Sequence, residues 1–261
     1  MALMTRVVEY RALQYRRTFR ASIFSSFLSP ILFLTAMGLG LGTYVNQSST
    51  ANQALGGLTY LQFVAPGLLA ATAMQAAAFE STFPIMGGLV WQRTFHAMYA
   101  TPITARDIFL GNMAWLAIRL FMITGIFSLV IFLFGAAASP LFVLAIPAAV
   151  LTGMAFATPI AGYSATQRTP ENFNAVFRFI ITPLFLFSGT FFPISNLPPL
   201  LQPIAWLSPL WHGMELTRGL ALGTIADEAL LALLHVTVLV ALLAIGIDYG
   251  LRTLTRGLVR G

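Results

Sequence analysis

The sequence contains no cysteine and no lysine, and these two absences exclude several kinds of function. Without cysteine the chain has no disulfide, no thiol nucleophile and no zinc–thiolate site. Without lysine it cannot form a P-loop, because the lysine of that motif contacts the nucleotide phosphates. If the protein uses ATP, a different subunit must therefore bind the nucleotide.

Charge is also scarce, since only 8% of the residues are charged and 58% are hydrophobic. A soluble domain usually carries about 25% charged residues to cover its surface. Long apolar runs recur from one end of the sequence to the other. Together these features predict an all-α integral membrane protein whose solvent is the lipid bilayer.

Six of the apolar runs approach the roughly 20 residues that a transmembrane helix needs. The predicted spans are Ser22–Tyr44, Tyr60–Pro84, Ile108–Phe134, Leu141–Ala165, Phe173–Phe192 and Ala229–Leu251. No internal repeat and no linker interrupts them. We therefore expect one transmembrane domain over 1–261, with an amphipathic connecting helix at 1–21, a six-helix membrane region at 22–251 and a tail at 252–261.

The arginines set the expected orientation, because cytoplasmic loops carry an excess of basic residues. The loops predicted for the opposite side carry only Arg218. We therefore expect a multi-pass protein of a bacterial plasma (inner) membrane with both termini cytoplasmic. Basic residues that flank spans do not indicate a nucleic-acid partner. The eleven arginines on the predicted cytoplasmic side are Arg6, Arg11, Arg16, Arg17, Arg20, Arg93, Arg106, Arg168, Arg252, Arg256 and Arg260.

Two segments of the predicted cytoplasmic side have helical periodicity. In the N-terminal segment Val8, Ala12 and Tyr15 share a face, and arginines lie between them. This pattern predicts a helix along the membrane surface, and the alternative is an arginine-rich topology signal with no further role. In the loop at 87–107, Trp91, Phe95 and Tyr99 recur at helical spacing, and we expect them to form one exposed aromatic face of a short helix that docks on a partner. The alternative for that loop is a helix lying on lipid.

The segment Pro193–Gly223 is apolar but contains five prolines, so we do not expect a continuous span there. Tryptophans favour the membrane interface. We expect an outer re-entrant or interfacial helical hairpin near the exit on the far side, and the alternative is an ordinary apolar loop. The candidate residues of this outer segment are Pro198, Trp206, Trp211, His212 and Glu215.

Ionisable residues inside spans are costly in lipid and usually find a partner. Glu80 and Arg119 are predicted to form an intramembrane ion pair, and direct contact of either residue with substrate is the alternative. The three histidines are too scattered to indicate a metal site, and no catalytic constellation is apparent. No cofactor is expected in this chain.

The order of these elements resembles the permease subunit of type-2 ABC (ABC-2) transporters. Five motifs resemble its nodulation protein J branch, and together they cover essentially the whole chain. The motifs are A-F-E-S-T-F (Ala78–Phe83), W-Q-R-T-F-H-A-M (Trp91–Met98), A-T-P-I (Ala100–Ile103), S-G-T-F-F-P-I-S (Ser188–Ser195) and L-S-P-L-W-H-G-M-E-L-T-R-G (Leu207–Gly219).

The resemblance implies that two permease subunits pair in the membrane, each docked on a separate ATPase that holds ATP and Mg. It implies export of an amphiphile such as a lipo-oligosaccharide, a lipid or a drug. Two alternatives remain open at this point: a proton-coupled secondary transporter with Glu80 as its coupling acid, and a membrane enzyme that acts on lipid. The residues implied to contact the ATPase are Trp91, Gln92, Arg93, Phe95 and Tyr99, with Arg168 and Glu171 in a second loop.

Overall fold

The structure is a computed structural model, and it describes residues 2–17, 19, 28, 30–48, 53 and 55–260. The described residues form helices and loops, with no β-strand among them. The first predicted span starts at Ser22, so its beginning lies outside the described residues. The all-α fold class predicted from the apolar runs is confirmed.

The described residues form ten main helical segments, α1 to α10 in chain order. They are α1 Ala2–Arg16, α2 at 30–47, α3 Tyr60–Met86 with a π-helical extension Gly87–Trp91, α4 Thr94–Tyr99, α5 Ala105–Leu133, α6 Ala145–Ser164 preceded by a 3-10 turn Pro140–Leu144, α7 at 171–187, α8 Gln202–Trp206, α9 Pro209–Leu222 and α10 Ala229–Arg260. Short 3-10 turns also occur at Ile194–Asn196 and Thr224–Ala226.

Within the described part of the chain, four helices are long and apolar enough to cross a bilayer: Tyr60–Trp91, Ala105–Leu133, Pro140–Ser164 and Ala229–Val259. They confirm the second, third, fourth and sixth predicted spans. The fifth was predicted to continue to Phe192 but ends earlier, because Gly189 adopts a left-handed conformation (φ 90°) and an irregular stretch follows. The total of six spans stays a prediction.

Local sequence signals explain where two of the long helices begin. Thr59 and Thr104 each accept a hydrogen bond from the backbone N–H three residues later. The side chains of Gln62 and Asp107 in turn accept a hydrogen bond from the backbone N–H of Thr59 and Thr104, respectively. Each helix start is therefore a capping box. The starts of α3 and α5 are therefore fixed by side chains as well as by the change to apolar sequence.

Helix α6 is the centre of the bundle and packs against α3, α5, α9 and α10. Small residues permit the close contacts: a Cβ added to Gly153 would lie 3.0 Å from the carbonyl oxygen of Ala73. A Cβ on Gly246 would lie 2.7 Å from the backbone nitrogen of Pro159. Small residues at helix interfaces let backbones approach in membrane proteins, where packing contributes much of the association energy.

The N-terminal helix is packed on protein over one face. Val7 is 1% exposed and contacts α5 at Gly111. A Cβ added to Gly111 would lie 2.7 Å from the Cβ of Val7. The ring of Tyr15 lies 5.6 Å from that of Trp115, again on α5. From Val7 to Tyr15 along α1, the contacted residues of α5 run from Gly111 to Trp115, so the two helices run in the same direction at this contact. The predicted alignment of α1 with the membrane surface stays a prediction.

The bundle has two distinct ends. The end of α3, the loop after α6 and the last turns of α10 meet at one of them, which we call the arginine-rich end. At the opposite end, the backbone N–H groups of Ala138 and Ser139 donate to the carbonyl of Ala221 (2.9 and 3.0 Å). The described loops that were predicted to be cytoplasmic therefore lie together.

Candidate functional site

Three segments distant in sequence enclose a groove of about 520 Å³ at the arginine-rich end. Three exposed arginines face it, and no carboxylate among the described residues lines it. Both ring nitrogens of His96 are buried there without a hydrogen-bond partner in the described part of the chain. We call this feature the basic groove, and its lining residues are Leu89, Val90, Arg93, His96, Ala165, Thr166, Gln167, Arg168, Thr253, Arg256 and Gly257.

Arg93 turns the chain from α3 into α4. Its φ of 52° places it in the left-handed region, and no other non-glycine residue in the described ranges has a positive φ. Such a conformation is unfavourable for a residue with a Cβ and persists only where the surroundings enforce it. The carbonyl of Arg93 accepts a hydrogen bond from Ala97 (3.1 Å) and so begins the short helix.

The expected exposure of Phe95 is wrong. Phe95 is 1% exposed, whereas Trp91 and Tyr99 are 55% and 40% exposed. Because the turn at Arg93 interrupts the helix, these three aromatics do not share one face. Phe95 instead lies beneath Gly88, where an added Cβ would be 2.6 Å from the ring, and it anchors α4 to the bundle.

The second predicted contact loop reaches the same end of the molecule. Arg168 lines the basic groove beside Gln167, whereas Glu171 stands outside it at the exposed start of α7. The Thr169 side chain hydrogen-bonds to the Glu171 carboxylate, and this bond holds the pKa of Glu171 below its ordinary value. Gln92 is exposed and does not line the groove.

A second cavity, of about 400 Å³, lies between α1, α3 and α5. Arg119 donates a hydrogen bond to Glu80 across it, so the structure brings the two predicted pair members together. Their side chains are 18% and 21% exposed. We call this feature the inner cavity; its lining residues are Arg11, Gln14, Tyr15, Glu80, Phe83, Pro84, Ile85, Gly87, Trp91, Gln92, Asn112, Met113, Trp115, Leu116 and Arg119.

Arg11 is a residue of the inner cavity that the sequence analysis counted only as a topology signal. Its Nε donates to Oδ1 of Asn112 at 2.6 Å, and its guanidinium lies 5.7 Å from the centre of the Phe95 ring. The available signal was helical spacing, since Arg11 follows Val7 by four residues and precedes Tyr15 by four. That spacing places it on the face that packs on α5.

The outer segment forms two short helices, as its prolines suggested. Pro198 is exposed, and Trp206 is 48% exposed. In α9, by contrast, the rings of Trp211 and His212 meet edge to face, with ring centres 5.0 Å apart. Glu215 pairs with Arg218 at 2.7 Å. Of the five residues predicted for the outer segment, the structure therefore brings together only the three that lie in α9. The position of this segment in the membrane stays a prediction.

His212 joins the outer segment to the last helix. Its Nδ1 lies 2.7 Å from Nδ1 of His235, and each residue is 6% exposed. Only one proton can occupy the space between two ring nitrogens, so one histidine donates and the other accepts. This contact bridges 23 positions of sequence, and periodicity within either helix gave no sign of it.

Arg218 has a structural role that the sequence analysis also missed. It donates to the carbonyl of Gly189 at 3.0 Å and lies 4.0 Å over the Phe63 ring, in addition to its contact with Glu215. One buried cation thus connects α9 to α3 and to the irregular stretch after α7. The signal in the sequence was the pair Glu215 and Arg218, three residues apart on one helix.

No group of histidine, aspartate and glutamate side chains among the described residues could hold a metal ion. Charged side chains line both the basic groove and the inner cavity. Trp91 and Gln92 line the cavity, and Arg93 lines the groove. Three consecutive residues therefore separate a charged outer surface from an amphipathic interior pocket.

Comparison with known proteins identifies the family. Residues 3–222 match the family described as ABC-2 type transporter. The chain belongs to the ABC-2 type transporter family. It is similar to nodulation protein J of Rhizobium leguminosarum bv. viciae, with 34% identity over 214 residues (81% of this chain and 79% of the relative).

Two further relatives extend the comparison. Nodulation protein J of Rhizobium meliloti is 31% identical over 213 residues, covering 81% of this chain and 78% of the relative. A probable multidrug ABC transporter permease, YbhR of Escherichia coli, is 27% identical over 171 residues, covering 63% and 45%. The chain is therefore the membrane permease of an ABC exporter. Neither a proton-coupled transporter nor a membrane enzyme gains support from these relatives.

Proposed function

We propose that this permease moves an amphiphile from the cytoplasmic leaflet outward, driven by a separate ATPase that docks on the basic groove. The observation that carries the proposal is the convergence of Arg93, Arg168 and Arg256 from three distant segments on one surface. Arginine is suited to such a surface because its planar guanidinium binds carboxylates through two parallel hydrogen bonds. We therefore expect acidic residues on the docking face of the ATPase.

His96 supports the same proposal. Buried polar atoms without a partner are costly and are usually satisfied, yet both ring nitrogens of His96 are buried and unpaired at the groove. A polar group or an ordered water brought in by a docked subunit would satisfy them.

In the proposed assembly two permease chains each contact one ATPase, which holds ATP and Mg. The chain itself lacks the lysine of a P-loop. We place both termini in the cytoplasm of a bacterial inner membrane, because the positive-inside rule puts the arginine-rich end there. Trp91, Gln92 and Tyr99 are exposed beside the groove, and we assign them to the same contact.

The docking proposal is tested by charge reversal. Arg93→Glu combined with Arg168→Glu should weaken binding of the cognate ATPase by at least about tenfold and make the residual binding less sensitive to salt. The matched control is Arg106→Glu, which changes an exposed arginine at the same end that does not line the groove. Binding of the double variant equal to that of the wild type would show that the ATPase docks elsewhere.

The amphiphile assignment is supported by the inner cavity, which combines two arginines with aromatic and apolar walls. Reconstituted with its ATPase in liposomes, the permease should stimulate ATP hydrolysis when amphiphilic candidates are added. Unacylated sugars at the same concentrations should have no effect. Stimulation by a free, water-soluble sugar would contradict the amphiphile assignment while leaving the exporter assignment in place.

A further inference from the structure

Arg11 is a half-buried cation for which no carboxylate lies within ion-pair distance in the described part of the chain. Its hydrogen-bond partners there are the neutral amides of Asn112 (2.6 Å) and Gln14 (3.3 Å). Burial lowers the pKa of its guanidinium, although an arginine in a protein stays charged. A desolvated charge without a counter-ion is unfavourable unless an anion can reach it.

The neighbouring charges do not neutralise Arg11. Glu80 and Arg119 act on it with opposite signs, and these two residues form an ion pair with each other. The inner cavity therefore keeps an excess of one positive charge, since two arginines and one glutamate line it. The Arg11 guanidinium is also held in place, because Asn112 accepts from its Nε and donates to the carbonyl of Ile108 (2.7 Å).

The remaining walls of the cavity suit the apolar part of an amphiphile. Phe83, Leu116 and two tryptophans, Trp91 and Trp115, line it beside the polar groups. Tryptophan is the residue that favours the level of lipid headgroups. The cavity also opens on the protein surface, so a molecule outside the protein can enter it.

The depth of the cavity matches the position of a headgroup. Helix α5 has 29 residues, which is about 43 Å at ~1.5 Å per residue, against about 30 Å of hydrocarbon. With equal overhangs of about 7 Å, Asn112 lies about 4 Å inside the inner edge of the hydrocarbon and Arg119 lies near its middle. The cavity thus runs from headgroup level toward the centre of the bilayer.

We propose that the inner cavity binds the phosphate-type anionic headgroup of an amphiphile at Arg11, with the attached chain along Trp115 and Leu116. The inference deepens the proposed export function by assigning an anionic charge to the molecule bound in the cytoplasmic leaflet. The same chemistry fits a transported amphiphile and a resident anionic lipid. Arg119 contributes through its pair with Glu80, which keeps the deeper part of the cavity neutral.

Tryptophan fluorescence tests the proposal without the ATPase. The chain has four tryptophans, and replacing Trp206 and Trp211 with phenylalanine leaves only the two that line the cavity. Nanodiscs of zwitterionic phosphatidylcholine are titrated with phosphatidylglycerol or phosphatidylcholine carrying brominated chains, which quench nearby tryptophans. Brominated phosphatidylglycerol should reach half-quenching at a concentration about tenfold lower than brominated phosphatidylcholine. A tenfold ratio corresponds to the free energy of about one hydrogen bond to a charged group.

Two variants locate the effect. Arg11→Gln should abolish the preference for the anionic lipid, whereas Arg16→Gln, an exposed arginine of the same helix that does not line the cavity, should leave it intact. Equal quenching by the two lipids, or a preference that survives Arg11→Gln, would overturn the proposal. A circular dichroism spectrum and a thermal midpoint for each variant confirm that α1 is still folded.

A second arm distinguishes the two sources of the headgroup. In liposomes that also hold the ATPase, ATP turnover should move phosphatidylglycerol from the cytoplasmic-side leaflet to the other leaflet if the bound lipid is transported, and leave its distribution unchanged if the lipid is resident; the binding preference itself is measured separately. Because the binding assay omits the ATPase, a failed headgroup preference leaves the docking result intact. Conversely, intact binding with no docking on the basic groove would contradict only the proposed coupling surface.

Discussion

The ion pair between Glu80 and Arg119 gives a prediction that can be worked out quantitatively. Removing one member of a fully buried pair costs about 3–5 kcal/mol, because the other charge is left without a partner. These side chains are 18% and 21% exposed, so we expect about 2–3 kcal/mol for Glu80→Gln. Arg119→Met should cost about 1 kcal/mol more, because its guanidinium also lies 4.9 Å over the Tyr15 ring.

The double variant should be less destabilised than the sum of the two single variants. At about 2–4 °C per kcal/mol for a chain of this size, Glu80→Gln should lower the thermal midpoint by about 4–12 °C and Arg119→Met by about 6–16 °C. The chain has no cysteine, so thiol-reactive dyes cannot report unfolding, and tryptophan fluorescence in a fixed detergent is the suitable assay. A double-mutant cycle then gives the interaction energy directly.

The chain supplies its own control for this cycle. Asp248 and Arg252 are paired at 2.9 Å, but their side chains are 60% and 68% exposed. Exposed pairs contribute about 0–1 kcal/mol, so the same cycle on α10 should give a small coupling energy. Additive effects of the two changes at Glu80 and Arg119 would refute the reasoning, because they would mean that the two residues occupy separate environments.

Two further predictions concern packing and pH. Gly88→Ala places a Cβ 2.6 Å from the Phe95 ring and should destabilise the protein by about 1–3 kcal/mol in thermal unfolding. The control Gly125→Ala, whose added Cβ meets no atom within 4 Å, should not destabilise it. Burial, and then the nearby His235, lower the pKa of His212 from 6.5 to about 4. Stability should therefore be full above about pH 6.5 and be lost as pH falls toward 4, because the unfolded state binds the proton more readily. His212→Gln should flatten this dependence, and an unchanged pH profile would contradict it.

Hydropathy predicted the long helices well because each of them satisfies its backbone within one continuous segment. The bilayer requires this of any span, so length and apolar composition were sufficient for α3, α5, α6 and α10. The fifth predicted span extended too far because no charged residue follows Phe187 before its predicted end at Phe192. Its end depends on the left-handed Gly189, and hydropathy is insensitive to backbone conformation.

Phe95 shows where periodicity fails. Its spacing from Trp91 and Tyr99 predicted one exposed face, an inference that holds only for an unbroken helix. The left-handed Arg93 breaks the helix, and a side chain expected at a partner is buried under Gly88. Nothing in the residue type of Arg93 signals a positive φ, which is several-fold commoner in asparagine, aspartate and histidine among non-glycine residues.

Contacts between distant segments were the least accessible from sequence. The Glu80–Arg119 pair was found because both residues are costly in lipid and must seek a partner. Arg11 lies outside the spans, so no such penalty drew attention to it, and its contact with Asn112 joins residues 101 positions apart. The contact between His212 and His235 was also missed, because a neutral histidine packs in an apolar helix without requiring a charged partner.

The position of Trp91, Gln92 and Arg93 gives the proposed mechanism a physical basis. Arg93 lies on the basic groove, while the two residues before it form part of the wall of the inner cavity. A force that moves Arg93 is transmitted over two peptide units to that wall, because the buried Phe95 keeps α4 from moving independently. The left-handed backbone at Arg93 is unfavourable for a residue with a Cβ and is maintained by its surroundings. Movement of a docked ATPase would therefore change the shape of the cavity directly, without a change in the packing of α6 at the centre of the bundle.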